Sequence, residues 1–202
     1  MPSGGVTAKA NFTPKRLGTF KDILGPHWFF DDAEWAYNRG VLRGVTDEYW
    51  EPESKVSGVT SIVTLERLDG VDLTPYDTGA LDGLDNSKWY VSAVRWARNN
   101  GICNSYRAFS EYEPLTRGEY AVILYNFLRY RGLNVTSDNE IHYTDSAALT
   151  NKEREAFRFL EYAGVFKGYE DGAIRPGATL NRAQLASLLH RLSQYIIRAE
   201  TL

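Results

Sequence analysis

The chain has 202 residues, 43% hydrophobic and 24% charged, with a net charge of −3. That length holds one domain or two small ones with a real core, and the slightly acidic balance offers no general attraction for nucleic acid or an anionic membrane. A single cysteine, Cys103, excludes an intrachain disulfide and a cysteine-based metal site, and His27, His142 and His190 share no ligand spacing, so neither metal nor cofactor is expected.

Residues 1–19 read as a tail or linker, without the apolar core of a signal peptide, and no later run is long enough to span a membrane. Beyond them the chain repeats itself. Gly40, Gly101 and Gly164 stand 61 and 63 residues apart, each preceded at five residues by an aromatic (Trp35, Trp96, Phe159) and followed by Val41, Ile102 or Val165. Gly44, Ser105 and Gly168 stand four residues after them.

Each of the three glycines is expected to end an amphipathic helix in a left-handed cap. The first such helix runs from about Phe29 to Asn38. The second shows a buried stripe of Trp89, Ala93, Trp96 and Ala97, and the third one of Ala156, Phe159, Leu160 and Ala163, opened by Thr150 and Glu153. A loop follows each glycine, and then a second helix with core positions Ile62, Leu65 and Leu68; Ala121, Leu124 and Phe127; or Ala186, Leu189 and Leu192. Two short helices cannot enclose a core, so the three units should pack together. The expected boundaries are 20–79, 80–141 and 142–196, with a short tail over 197–202.

The second helices open on related words. Leu115-Thr116-Arg117-Gly118-Glu119 and Leu180-Asn181-Arg182-Ala183-Gln184 are clear copies, and Val56-Ser57-Gly58-Val59-Thr60 is a degraded one. Thr116 with Glu119, and Asn181 with Gln184, make capping boxes. Capping leaves the arginines unexplained, because a cation at the first helical position opposes the macrodipole. Its recurrence suggests an anion site, built two or three times, in which free helix N–H groups and a guanidinium fork hold a carboxylate.

This pattern resembles the S-layer homology domain in its three-repeat form over about residues 20–196. The residues that carry the resemblance are the aromatic-x-Asp of Phe20-Lys21-Asp22 and Tyr143-Thr144-Asp145, with Ala80-Leu81-Asp82 as a weaker counterpart. With them come the Gly-Ile/Val pairs, the run from Gly164 to Gly172, Ile174-Arg175-Pro176 and the Arg-bearing helix openings. The resemblance implies an all-α fold in which three helix-loop-helix repeats stand in a pseudo-threefold arrangement, with the motif-bearing helices forming a central three-helix bundle.

It also implies a non-catalytic, monomeric module at the bacterial cell surface. Such a module binds secondary cell-wall polysaccharide, with a pyruvylated amino sugar, in grooves between repeats. By the same resemblance Arg117 and Arg182 clamp the ketal carboxylate beside Thr116, Glu119, Asn181 and Gln184. Gly44 and Gly168 let the loop backbone approach the sugar, and Trp35 and Trp96 line the grooves. On this reading Arg182→Ala weakens wall binding with little effect on stability.

Two other readings stay open. Asp31, Asp32 or Glu34 could supply the paired carboxylates of a wall-sugar hydrolase. Gly58, in place of an arginine, suits a degenerate repeat retained for protein–protein or S-layer assembly.

Overall fold

The three ruler glycines end helices through one backbone device used three times. In the computed structural model, which describes residues 14–78, 85–104 and 110–201, Gly40, Gly101 and Gly164 have φ of 69°, 67° and 73°. The next residue closes back on the helix: Val41 N donates to Ala36 O at 2.9 Å, Ile102 N to Ala97 O at 2.8 Å and Val165 N to Leu160 O at 2.8 Å. This is the Schellman closure, which needs a residue comfortable in the left-handed region.

The described residues form six α-helices and no sheet: α1 (Phe30–Asn38), α2 (Gly58–Asp69), α3 (Val91–Asn99), α4 (Arg117–Tyr130), α5 (Asn151–Tyr162) and α6 (Arg182–Glu200). The fold is all-α. None of these helices is long and apolar enough to cross a membrane. Ala80-Leu81-Asp82 and the loop from Ser105 to Phe109 lie outside the described residues.

The residues just ahead of α2, α4 and α6 close a ring. Val56 N donates to Leu180 O at 2.9 Å, Leu180 N to Leu115 O at 3.2 Å and Leu115 N to Val56 O at 3.0 Å. All three side chains are buried, so these amides would be costly to leave unpaired. At the other end of the same helices Arg131, just past α4, bonds Asp69 at the end of α2 and Glu200 at the end of α6. Around this trio α1 packs on α6, α3 on α2 and α5 on α4. Each outer helix therefore rests on the inner helix that precedes it, and α1 closes the circle on α6.

Core positions follow the expected stripes, with two exceptions, Trp89 and the partly buried Leu68. Ile62, Leu65, Ala121, Leu124, Phe127, Ala186, Leu189 and Leu192 are all buried. Trp89, expected on the buried face of α3, lies ahead of that helix and is 71% exposed. Two expected boundaries also shift. Leu17 is buried and donates its amide to Ile23 O, so packing begins before residue 20, and α6 continues through 197–200.

Candidate functional site

Capping comes first in building the site. Thr116 accepts from Glu119 N while Glu119 Oε2 accepts from Thr116 N, and Asn181 makes the same reciprocal pair with Gln184. Asn181 Nδ2 also donates to Glu53. These four residues are occupied as caps. Ser57 accepts from Thr60 N, without a box.

The helix starts are closed rather than open to a ligand. Arg117 N and Gly118 N donate to Ala178 O and Pro176 O at 2.8 and 2.9 Å. Arg182 N and Ala183 N donate to Ser54 O and Pro52 O at 3.0 and 2.9 Å. The expectation of free N–H groups for an anion is therefore corrected at α4 and α6: neighbouring loop carbonyls take them.

The two arginines reach into the same neighbouring loops. Arg117 Nε donates to Ile174 O at 2.8 Å and Nη2 to Lys167 O at 3.1 Å. Arg182 Nε donates to Trp50 O at 2.8 Å and Nη2 to Arg43 O. Each guanidinium also faces rings: Arg117 stands 4.9 Å from the Tyr169 centroid, and Arg182 4.8 Å from that of Trp50. Both arginines are buried, and neither forms an ion pair among the described residues. Burial lowers the pKa of both, that of Arg182 to about 10 against the weaker pull of Glu51 and Asp22. At neutral pH they are charged, desolvated and hydrogen-bonded to carbonyls with no carboxylate among the described residues in contact, an arrangement with electrostatic capacity left for an anion.

The aromatic-x-Asp motif fixes those carbonyls. Asp145 accepts the amides of Ile174 and Arg175 at 2.9 and 2.7 Å, and Asp22 those of Trp50 and Glu51 at 3.0 and 2.7 Å. Arg175 and Glu51 have φ of 52° and 59°, a conformation that few side-chain-bearing residues adopt and that these carboxylates stabilise. The order of dependence runs from carboxylate to loop turn to carbonyl to guanidinium. This positioning role was present in the sequence as a motif, without a partner to reveal it.

Gly44 and Gly168 also serve the motif. A Cβ on Gly44 would come within 2.4 Å of the Phe20 ring, and one on Gly168 within 2.6 Å of the Tyr143 ring. The close approach of the aromatic is by itself a structural reason for glycine at both positions, and each glycine also borders a cavity that holds one of the two arginines.

Three cavities lie at the junctions. One of about 860 Å³ combines Arg117 with the loop from Phe166 to Asp171, Gln184, Ser187 and Arg191 of α6, and Trp28 ahead of α1. One of about 270 Å³ combines Arg182 with Leu42, Arg43 and Gly44, α2 residues from Val59 to Arg67, and Trp89 ahead of α3. Both follow one plan: an arginine from one inner helix, the loop and inner helix of the next unit, and a Trp from the unit after that. Each arginine thus serves the next loop, so that Arg117 belongs with Gly168 and Arg182 with Gly44. The third cavity, about 660 Å³, is bounded by Ile102–Asn104, α4 residues and Thr150, Lys152, Glu153 and Glu155. Gly58 stands where its arginine would be.

The tryptophans are redistributed as well. Trp96 is fully buried, with Nε1 donating to Tyr130 Oη at 3.2 Å, and belongs to the core. Trp35 stacks on His190 at 4.7 Å, between α1 and α6, and lines none of these three cavities. The aromatics at the rims are Trp28 and Trp89, 65% and 71% exposed. Their signal in the sequence was position: each stands two residues ahead of its helix, in His27-Trp28-Phe29 and Lys88-Trp89-Tyr90.

Residues 142–186 match the family model of the S-layer homology domain. Over that segment the chain carries the S-layer homology signature. The matched segment contains Tyr143, Asp145, Gly168, Arg182 and Gln184. Among curated proteins the chain is similar to a cellulosome-anchoring protein of Acetivibrio thermocellus, 24% identical over 74% of this chain and 34% of the relative. It is also similar to exoglucanase XynX of the same organism, 22% identical over 93% of this chain and 17% of the relative. An amylopullulanase of Thermoanaerobacterium thermosulfurigenes is 23% identical over 86% of this chain and 9% of the relative. The chain spans about a third or less of the length of each.

Proposed function

We propose that this S-layer homology chain is a non-catalytic anchoring module that holds a protein to the bacterial cell surface. It does so by binding secondary cell-wall polysaccharide in the Arg117 and Arg182 cavities. Residues 20–196 act as three repeats, and the ring of Val56, Leu115 and Leu180 supports that reading. The match to a cellulosome-anchoring protein supports anchoring as the role, with the enzymatic names of the other relatives belonging to lengths this chain does not cover.

One observation carries the proposal. Two buried guanidinium groups, bonded to carbonyls and free of carboxylate partners among the described residues, each line a cavity with an exposed Trp at its rim. An acidic sugar satisfies both features, its carboxylate on the cation and its apolar face on the indole. A pyruvylated amino sugar is the ligand class that fits, and the module acts as a monomer. Isothermal titration with a pyruvylated disaccharide, beside retention on purified cell walls, tests this. Saturable heat that disappears when Trp28→Ala and Trp89→Ala are combined supports it, and absence of heat with the fold intact overturns it.

The hydrolase reading has little to stand on. Asp32 is engaged by His190 Nδ1 at 2.7 Å and by the Ser187 hydroxyl, Glu34 pairs with Lys15 at 2.7 Å, and neither borders a cavity described above. Ser187 donates to the Asp and not to the His, so this trio is not ordered as a nucleophilic triad. Release of reducing sugar from a wall glycan would revive that reading. The assembly reading draws on Gly58, and retention on a second copy of the chain but not on walls would favour it.

A further inference from the structure

The two arginine cavities differ in charge, and the difference points to different guests. We propose that the Arg182 cavity takes a doubly charged substituent on a sugar, a phosphomonoester, whereas the Arg117 cavity takes a singly charged one. This rests on the groove reading above and names the ligand chemistry of one groove within it.

Three guanidinium groups, Arg43, Arg67 and Arg182, border the smaller cavity, and among the described residues no carboxylate does. None of the three forms an ion pair among the described residues. Arg43 and Arg67 are close enough to repel: the pKa of Arg67 is lowered by burial first and by the Arg43 charge second. The nearby acids do little to compensate. Glu66 pulls the pKa of Arg67 back up, more weakly than burial and Arg43 lower it, and lies outside the lining. Asp22 acts on Arg182, but its oxygens already accept the amides of Trp50 and Glu51. Glu51 acts on Arg182 without bordering the cavity.

The larger cavity also carries an excess of cations, but a smaller one. Arg117, Lys167, Arg175 and Arg191 border it together with two carboxylates, Glu170 and Asp171, the latter paired with Arg175 at 2.7 Å. One carboxylate suits that site. Three cations with no ion-pair partner among the described residues instead favour a guest with two charges and three acceptor oxygens, which a phosphomonoester provides at neutral pH. A volume of about 270 Å³ lies just under the usual range of ligand pockets, roughly 300–1,000 Å³, and matches one substituted sugar rather than a run of glycan. Trp89, with Arg67 6.0 Å from its ring centroid, offers the stacking face beside the charge.

Glucose 6-phosphate and glucuronate test the proposal, since they carry a dianion and a monoanion at the same exocyclic position, C6. By isothermal titration on the full chain at pH 7.5, glucose 6-phosphate is expected to bind about tenfold tighter or better, the factor for one added charge-assisted bond. The advantage should disappear in Arg67→Gln and in the exposed Arg43→Gln, persist in Arg117→Gln, and fade as the pH falls through about 6, where the phosphate loses its second charge. Inorganic phosphate should bind more weakly than the sugar phosphate. Equal affinity for the two sugars, or a preference removed by Arg117→Gln alone, overturns the proposal. So does inorganic phosphate that matches the sugar phosphate. If wall retention still falls in Arg43→Gln while the two sugars bind alike, the groove reading stands and the dianion is wrong. If retention is also unchanged in Arg43→Gln and in the combined Trp28→Ala and Trp89→Ala variant, the groove reading falls with it.

Discussion

The junction built on Arg182 and the junction built on Gly58 start from the same hydrogen-bonded ring and end in different chemistry. At the first, a guanidinium crosses from α6 to the carbonyls of Trp50 and Arg43, and the charged groups bordering the cavity beside it are, among the described residues, all cations. At the second, α2 starts with glycine, and the cavity between α4 and α5 is bounded by Glu119, Glu153 and Glu155 against Lys152 and Arg129. The ring and the cap therefore hold an inner helix in place without an arginine. What the arginine adds is a tie between neighbouring units together with a buried positive charge.

That comparison can be broken at the arginine itself. Arg182→Ala removes two bonds to carbonyls and a cation–π contact, so it should cost about 3 kcal/mol of stability as well as wall retention. This departs from the small stability effect expected from the sequence, because the side chain is buried and stapled to a loop. Denaturant unfolding checks it, and a loss under about 0.5 kcal/mol would mean that the tie is idle. Asp145→Ala releases the amides of Ile174 and Arg175 and loosens the carbonyl beneath Arg117. About 2 kcal/mol should be lost, with sugar binding weakened in the Arg117 cavity and unchanged in the Arg182 cavity. Binding lost equally in both would show that the two junctions are not independent.

Two smaller effects sharpen the contrast. Thr116→Ala should cost about 1 kcal/mol through the lost cap, and Ser57→Ala less, since Ser57 has no reciprocal Glu or Gln. Equal losses would remove the distinction between an intact box and a degraded one. Trp89→Ala should change stability by no more than about 0.5 kcal/mol, as its ring is mostly exposed, yet abolish binding in the Arg182 cavity. A large drop in melting temperature would make Trp89 a packing residue instead.

Much of the fold was legible because it is written in local terms. The glycine closures, the caps and the helical stripes each depend on residues a few positions apart, and they recur where the sequence places them. Trp96 and Trp89 show where this stops. Both sat in one periodic stripe, yet only the first lies within α3, and the turn that frees the second is set by packing ahead of the helix. The reason for Gly44 and Gly168 was hidden in the same way, because the ring each one accommodates comes from 24 or 25 residues earlier in the chain.

The sequence by itself determined that the chain is a set of helices with repeated starts and stops, and that two arginines stand at unusual places. Only the tertiary structure decided what those arginines meet. Each guanidinium faces a loop far away in sequence, Arg182 across the closure of the ring, and it is the packing of α1 on α6 and of α3 on α2 that brings an exposed Trp to the same cavity. Capping and helix closure act over one or two turns, whereas a groove is made by the way separate helices lie against one another.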